Sequence, residues 1–440
     1  MGLTGYRAEL LSVPHDPRSA GNAAIVHRPD GLLVVEEGRI VAEGDFEPVA
    51  ARFPSLTIEH FPGKLIVPGF VDTHIHYSQV DQIAAYGHQL LDWLEQHIFP
   101  AEAAFSDPAH AREAASFFLD ELLRNGTTTA LVFPTVHEGS VDALFEAAER
   151  RDMRIISGKV LMDLGPTHLR DGVGGGRAES EDLIARWRGR GRLGYAVIPR
   201  FALTSSDAQL RMSGELLAAH PDALLHTHLA ENLAEIAAVA ERFTDAPDYL
   251  SVYERFGLVG RRSVFAHCVH LEAAALGRMV QAGAAAALCP TSNLFLGSGL
   301  FDLDRLDAVG VRVGFGTDVG AGTSFSMLAT LREAYKVCQL RGASLDPFRA
   351  LHLATAGGAA ILGLGDRVGA LEVGMEADFV VLDPAATPLL ARRTAGKDLT
   401  ERLFALQILG DDRAVQATYL AGRPAYRRLC DRATDPASAS

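Results

Sequence analysis

Short apolar segments alternate with amphipathic ones through the middle of this 440-residue chain. Eight of the apolar segments are hydrophobic through their length, as strands buried on both faces of a sheet should be. These predicted strands cover residues 69–75, 127–133, 154–160, 194–198, 223–227, 263–266, 284–288 and 311–316.

Helical segments fill the gaps between these strands. The clearest runs over residues 107–125, with Asp107 as the N-cap, Pro108 at the first helical position and Gly126 as the stop signal. Strand–helix alternation repeated eight times predicts an α/β fold with a (β/α)₈ TIM-like barrel. A doubly wound open sheet would give the same alternation, so the pattern alone leaves both open.

The two ends of the chain are rich in short strands instead. Residues 22–43 predict strands around a turn at Glu37-Gly38, and residues 370–382 and 414–426 predict strands with turns at Gly374 and Gly422. We therefore expect a composite β-sandwich domain made from residues 1–67 and 368–440, around a barrel of residues 68–367. The small polar tail, residues 433–440, is expected to be disordered.

Composition narrows the class of protein. Hydrophobic residues make up 48% and charged residues 22%, which is typical of a soluble globular chain. The net charge of −14 argues against nucleic acid as a partner, because phosphate binding needs clustered Lys and Arg. No apolar run of about 18 residues and no secretory signal is present, so we expect a cytoplasmic protein without a membrane span. The four cysteines form no C-x-x-C pair and are expected to be reduced thiols: Cys268, Cys289, Cys338 and Cys430.

Histidines and acidic residues stand at the carboxyl ends of the predicted strands, where barrel active sites assemble. Because residues i and i+2 of a strand point to the same side, His74 and His76 should face one point. The fifth strand ends in His226-Thr227-His228 with Glu231 three residues on, the sixth ends at His267, and Asp318 follows the eighth.

Catalytic zinc takes three or more His or carboxylate ligands and keeps one position for water. His74, His76, His228 and Asp318 would provide such a set, and the metal would activate water near neutral pH. A lone H-x-H pair is more often a surface or core feature, and a single Asp after a strand is more often a helix cap. Here several separate strand ends each supply a suitable group, which predicts one zinc ion per chain.

The segment Pro68-Gly69-Phe70-Val71-Asp72-Thr73-His74-Ile75-His76 resembles the signature of the amidohydrolase superfamily. The order of the H-x-H pair, His228, His267 and Asp318 along the strands is similar to that superfamily, as are both β-rich flanks. The resemblance spans about residues 24–426. The fourth strand ends without the Lys that bridges two metals in some members, and Lys159 is expected to be structural. The chain therefore resembles the mononuclear deaminase branch, in which Glu231 would be a proton shuttle.

Further segments resemble the guanine deaminase family within this branch. They are His76-Tyr77-Ser78-Gln79, residues 91–95, residues 99–102, Pro199-Arg200-Phe201 and residues 289–299. The resemblance implies that Gln79 and Arg200 contact the purine carbonyl and that Phe201 packs on the ring, beside His228 and Glu231. These roles suit a planar substrate, since Arg and Gln donate to a carbonyl and an aromatic face stacks. Arg200 could instead form a structural ion pair, Phe201 could be core, and Gln79 a solvated loop residue; Trp93 is expected to be core.

The resemblance implies hydrolytic deamination of guanine to xanthine and ammonia, a step of purine catabolism. Zinc-activated hydroxide would attack C2, with Asp318 as general base, Glu231 protonating the ring nitrogen and His267 steadying the developing charge. The expected partners are a small purine and a second copy of the chain in a homodimer.

Alternative functions stay open at this point. The main one is a related enzyme acting on another amino- or chloro-substituted heterocycle, such as a triazine, cytosine or adenosine-type substrate. A non-catalytic barrel scaffold is disfavoured because all the ligand positions are present. The signature of the unrelated His/Cys/Cys nucleobase deaminases is absent.

Overall fold

The strands of this protein form two separate sheets in the computed structural model, which describes residues 2–87 and 89–428. The expected disordered tail, residues 433–440, and Cys430 lie outside these described residues. In chain order the strands are β1 Thr4–Ser12, β2 Val26–Glu36, β3 Arg39–Asp45, β4 Thr57–Pro68, β5 Phe70–His76, β6 Thr127–Phe133, β7 Arg154–Ser157, β8 Val160–Leu161, β9 Gly194–Pro199, β10 Leu224–Leu229, β11 Ser263–His267, β12 Ala285–Leu288, β13 Arg312–Phe315, β14 Phe379–Leu382, β15 Val415–Leu420 and β16 Arg423–Arg427.

Strands β5 to β13 form the barrel, and all their pairings are parallel. The predicted third strand is broken in two, and both pieces, β7 and β8, pair with β9. The first and last strands meet at their carboxyl ends, where the Asp318 N–H donates to the His74 carbonyl (2.9 Å) and the His76 N–H to the Val319 carbonyl (3.1 Å). This contact closes the sheet. The predicted barrel is confirmed, and the open doubly wound sheet is excluded.

Helices follow the barrel strands and cover the outside of the barrel. In α5 the Asp107 side chain accepts from the Ala109 N–H at 2.8 Å and Pro108 occupies the first turn, as the sequence predicts. The α-helices are α1 Pro17–Ala20, α2 Phe46–Ala50, α3 Leu90–Trp93, α4 Phe99–Ala103, α5 Pro108–Arg124, α6 Glu138–Arg151, α7 Val173–Trp187, α8 Asp207–Ala219, α9 Leu233–Arg242, α10 Tyr249–Arg255, α11 Ala273–Ala282, α12 Pro290–Phe295, α13 Leu303–Val309, α14 Met327–Leu340, α15 Pro347–Leu353, α16 Ala356–Ile361, α17 Pro388–Thr394 and α18 Leu399–Leu409.

A π-helical turn, Leu94–Ile98, joins α3 to α4 beside the barrel mouth. Pro100 has no N–H to donate to the carbonyl four residues back, and its ring would clash with that carbonyl. The Phe99 N–H instead reaches five residues back, to the Leu94 carbonyl. Short 3₁₀ turns occur at Gly21–Ala24, Tyr77–Gln82, Ala104–Ser106, Thr167–Leu169, Ala202–Thr204 and Asp412–Ala414.

The second sheet has strands from both ends of the chain, in the order β16-β15-β14-β4-β1-β2-β3. Strand β4 connects the two parts, because it pairs with β1 on one side and with β14 on the other. The composite small domain is therefore confirmed, together with the predicted turns at Gly38, Gly374 and Gly422.

Two details of the flanks differ from the sequence-based expectation. The central strands β1 and β4 were not predicted, and β4 contains Pro62-Gly63, a dipeptide typical of turns. Of the strand-rich segment expected over residues 370–382, β14, Phe379–Leu382, is confirmed as a strand, and the expectation is wrong for residues 370–378. That segment is a loop whose backbone is held by single contacts to the β2–β3 hairpin, such as the Gly374 N–H to the Ile40 carbonyl at 2.8 Å.

Lys159 lies in the break between β7 and β8 and is fully buried. Its ammonium group contacts Asp171 (2.6 Å) and Glu179 (3.2 Å), and none of the three residues lines the cavity that holds the predicted site. None of the described helices is both long enough and apolar enough to cross a lipid bilayer.

Candidate active site

Four side chains that the sequence predicts as metal ligands converge at the mouth of the barrel. The Asp318 Oδ1 atom lies 3.1 Å from His74 Nε2 and 3.4 Å from His76 Nε2. The His76 and His228 Nε2 atoms are 3.3 Å apart. The Phe133 ring packs against three of the imidazoles, with centroid distances of 5.4, 4.7 and 4.7 Å to His74, His76 and His228. The structure thus brings the whole predicted set together.

The backbone at the strand ends turns sharply to aim these groups inward. Ala230, His267 and Asp318 each have positive φ, at 51°, 71° and 52°, in the left-handed region that residues with a Cβ rarely adopt. Such conformations cost on the order of 1–3 kcal/mol each and occur mainly where the surrounding structure enforces them at functional sites. Asp72 helps to hold the conformation of Asp318. Its carboxylate accepts hydrogen bonds from the N–H (3.1 Å) and the hydroxyl (2.5 Å) of the preceding residue, Thr317.

A chain of buried hydrogen bonds sets the tautomer of His74. His226 Nδ1 lies 2.9 Å from the Val264 carbonyl, which can only accept, so that nitrogen carries the proton. His226 Nε2 must then accept from His74 Nδ1, at 2.8 Å. His74 Nε2 is left with its lone pair directed at the cluster. His228 is arranged similarly, since its Nδ1 donates to the Arg200 carbonyl at 2.7 Å.

The donor set fits a divalent metal ion. His74 Nε2 is buried without a hydrogen-bond partner, and the ligand atoms of His74, His76 and His228 all lie within 4.8 Å of one another. Burial lowers the pKa of His74 to about 3 and holds those of His76 and His228 well below the usual value. The rings are therefore neutral, the form that coordinates metals. Three imidazoles and one carboxylate match the ligand types of a catalytic site that keeps a position for water.

Cys289, which was not predicted as a site residue, lies close to His74, His267 and Asp318 in this cluster. Burial and the nearby carboxylates raise the pKa of its thiol well above the usual value. The thiol donates to the Ala287 carbonyl at 3.5 Å. A protonated thiol is a poor ligand, so Cys289 is better described as a packing residue.

Glu231 and His267, the predicted acid–base groups, contact each other beside the cluster. The Glu231 Oε2 atom lies 3.3 Å from His267 Nε2, and its Oε1 atom accepts from the Ser298 hydroxyl at 2.9 Å. The Asn293 amide donates to His267 Nδ1 at 3.0 Å, which leaves the ring proton on Nε2, facing Glu231. Burial, together with the charge of Asp318, raises the pKa of Glu231 well above its usual value.

The predicted substrate-recognition residues are linked by a carboxylate to which the sequence analysis gave no role. Arg200 Nη1 donates to both oxygens of Glu102, at 2.5 and 2.7 Å, and Gln79 Nε2 donates to Glu102 Oε1 at 3.3 Å. All three residues are no more than 2% exposed. The ion pair considered as an alternative for Arg200 therefore exists, but Arg200 also faces the cavity.

One cavity connects both groups of residues. Every predicted site residue except His74 lines it: His76, Gln79, Arg200, Phe201, His228, Glu231, His267 and Asp318. Trp93, expected to be core, is buried with its indole N–H donating to the Ala85 carbonyl (3.2 Å), and it also lines the cavity.

Sequence reasoning missed several supporting residues. His226 could have been found, because it stands two positions before His228 on the same strand and so points to the same side. Glu102, Ser298 and Asn293 lie in segments whose periodicity carries no signal of their orientation.

Comparison with known proteins places the chain in a family. The Amidohydrolase family model matches residues 65–425. Guanine deaminase of Escherichia coli (strain K12) is 51% identical over 402 residues, which covers 91% of this chain and 92% of that protein. A solved structure of E. coli guanine deaminase superposes with a TM-score of 0.95 at 48% identity, covering 97% of this chain and 100% of that one.

Two further solved structures carry ligands. Guanine deaminase from C. acetobutylicum, with guanine bound in its active site, has a TM-score of 0.89 at 27% identity and covers 96% of this chain and 100% of its own. An adenosine deaminase from Xanthomonas campestris, with bound zinc, has a TM-score of 0.84 at 26% identity and covers 96% and 92%. The chain belongs to the amidohydrolase family, and within it to the guanine deaminases.

Proposed function

We propose that this protein hydrolyses guanine to xanthine and ammonia and that it binds one zinc ion per chain. The observation that carries the proposal is the single cavity in which the His/Asp cluster, Glu231 and the Arg200–Gln79 pair all meet. The 51% identity to a guanine deaminase and the guanine-bound relative support the choice of substrate. The zinc-bound relative supports the choice of metal.

His74, His76, His228 and Asp318 would hold the zinc ion. When bound, zinc lowers the pKa of a coordinated water toward ~7 and so supplies the nucleophile at neutral pH.

The protein's own groups then move the protons. Asp318 Oδ1 faces His74 and His76, while Oδ2 lies 3.8 Å from His267 Nε2, which supports Asp318 as the group that takes a proton from the attacking water. Because the pKa of Glu231 is raised, this carboxyl group can carry a proton and deliver it to the ring nitrogen beside C2. The Nε2–H of His267 can donate to the oxygen atom that attacks C2 and so stabilise its negative charge. The C2–O bond forms as the ring nitrogen is protonated. The proton held by Asp318 then passes to the C2 amino group, the C2–N bond to that group breaks, and ammonia leaves as C2 becomes a carbonyl.

The recognition residues orient the ring. Arg200 and Gln79 offer donors to the carbonyl oxygen O6, and Phe201 offers an aromatic face. Adenine carries an amino group at that position, so donors would face donors and buried polar groups would remain unpaired. A site of this kind can reject such an analogue by ~10⁴-fold or more.

Ammonia release from guanine, adenine, cytosine, adenosine and aminotriazines, each at several concentrations, tests the proposal. We expect guanine to have by far the highest kcat/KM. Equal use of guanine and adenine would contradict the guanine assignment.

A second candidate is an adenosine-type deaminase, which the similarity to the X. campestris enzyme favours. Deamination there occurs at C6, so a donor pair facing the C6 substituent would hinder it, and the same substrate panel separates the two. The homodimer and the cytoplasmic location stay predictions.

A further inference from the structure

The Glu102–Arg200 ion pair has no part in holding a metal or in moving protons, yet it is among the most buried charged pairs of the protein. The exposed fractions of the two side chains are 1% and 3%. Burying two charges requires loss of their hydration, which an ion pair often does not recover in stability. Such a pair is therefore a candidate for a role in specificity.

The local structure places the Glu102 carboxylate behind the recognition donors. Glu102 lies on α4, which the π-helical turn and Pro100 direct toward the barrel mouth. Its two oxygens accept only from Arg200 and, at Oε1, from Gln79 among the described residues. Glu102 does not line the cavity, whereas Arg200 and Gln79 do.

We infer that Glu102 is a specificity-determining residue, which neutralises Arg200 so that the site accepts uncharged purines and disfavours anionic ones. This inference rests on the proposed function and names the charge state of the substrate. A buried guanidinium without a partner attracts an anion strongly, because water does not screen it. With Glu102 in place the pair has no net charge, and Arg200 acts as a hydrogen-bond donor to a carbonyl rather than as an anion receptor.

The charge balance matters for turnover as well as for substrate choice. Xanthine is a stronger acid than guanine and loses a ring proton near neutral pH. An uncompensated Arg200 would hold that anionic product. Glu102 would therefore also favour product release, acting through Arg200 as a positioning residue.

The test compares two purines that share the C6 carbonyl but differ in charge at pH 7: hypoxanthine is neutral and urate is a monoanion. Their inhibition constants against guanine turnover are measured for the zinc-loaded parent and for Glu102→Gln, which keeps the shape and one acceptor but removes the charge. We expect the preference for hypoxanthine over urate to shift toward urate by at least ~10-fold. An equal change for both ligands, or no change, would overturn the inference.

Further variants control for misfolding and for general damage. Arg200→Gln with Glu102 intact leaves the negative charge of Glu102 unpaired, so the preference should shift away from urate. This variant tests the sign of the effect even if Glu102→Gln does not fold. The double variant should return to about the parental preference. Glu376→Gln removes a partly buried carboxylate that pairs with Arg154 (2.5 Å) and Arg192 (2.7 Å) outside the cavity, and it should leave the ratio unchanged.

Failure of this inference can be told apart from failure of the proposed function. If the parent does not turn over guanine, the function is wrong, and calorimetric titration with hypoxanthine and urate still measures the charge effect. If guanine is turned over normally and the ratio does not move in Glu102→Gln, only the role of Glu102 is wrong.

Discussion

Replacement of His226 by leucine should weaken zinc binding, although His226 would not touch the metal. His226 links the Val264 carbonyl to the His74 ring: its Nδ1–H donates to the carbonyl at 2.9 Å, and its Nε2 accepts from His74 Nδ1 at 2.8 Å. These bonds keep the proton of His74 on Nδ1 and the lone pair of Nε2 directed at the cluster. Leucine has a similar bulk but cannot accept, so the His74 ring loses the contact that fixes its tautomer and its rotation.

The size of the effect follows from the buried groups left without partners. His74 and His226 are both 0% exposed, so the His74 Nδ1–H cannot turn to water. An unsatisfied buried donor costs about 1–3 kcal/mol. The ring can avoid that cost by rotating or by moving its proton to Nε2, and either response removes the lone pair from the metal. At 1.4 kcal/mol per factor of ten, the zinc Kd should rise about 10–100-fold, the range usual for groups that orient metal ligands.

Competition with a chromophoric chelator at fixed pH measures the zinc Kd for parent, His226→Leu and His226→Gln. The glutamine amide can donate to the Val264 carbonyl and accept from His74 Nδ1, so this variant should stay within a few-fold of the parent. Thermal unfolding of the metal-free proteins checks that the two variants are comparably folded. Parental zinc affinity in His226→Leu, or equal losses in both variants, would refute the reasoning.

The remaining predictions concern catalysis, recognition and stability. Glu231→Gln should keep its zinc but lose about 10²–10⁴-fold in guanine kcat, and parental turnover in a metal-loaded variant would contradict the proton-transfer role. Arg200→Ala should lower kcat/KM for guanine about 10²-fold with unchanged metal content, since it removes a charged donor; an unchanged kcat/KM would argue against this contact. Dialysis against a chelator should abolish ammonia release and added zinc should restore it, whereas full activity in protein shown by metal analysis to be metal-free would exclude a catalytic metal. Asp72→Ala leaves the Thr317 N–H and hydroxyl without an acceptor and should lower the free energy of unfolding by about 3 kcal/mol, measured by urea denaturation. A change below about 1 kcal/mol would count against a role for Asp72 in holding the backbone at Thr317.

The hydrolytic half of the cavity, which contains the predicted metal ligands and His267, could be predicted from the sequence because two simple geometric rules are enough. Side chains two positions apart on a strand share a face, which brings His74 and His76 together. The carboxyl ends of parallel barrel strands meet at one mouth, which adds His228, His267 and Asp318. The closure of the barrel itself required the structure, since alternation cannot distinguish a closed sheet from an open one.

The recognition half of the cavity, formed by Gln79, Arg200 and Phe201, could be predicted only through resemblance to a family. Its geometry depends on packing between distant segments of the chain. Glu102 is 98 positions from Arg200 in the chain, and its approach depends on the π-helical turn before Pro100. Neither helical nor strand periodicity marks that turn. Strand β4 was missed for a related reason: Pro62-Gly63 reads locally as a turn, and only pairing with β1 and β14 keeps the segment extended.

The recognition half of the cavity is charge-balanced, and this limits the class of substrate. In the hydrolytic half, burial keeps the imidazoles of the predicted ligands neutral, and Asp318 is the one carboxylate among those ligands. In the recognition half, Glu102 cancels Arg200. A planar, uncharged heterocycle with one carbonyl can satisfy the donors without adding a net charge to a site that water does not screen. The barrel strands carry the metal ligands, whereas α4 carries Glu102. Substitutions in α4 can therefore alter the charge of the substrate that the site accepts without disturbing the metal ligands.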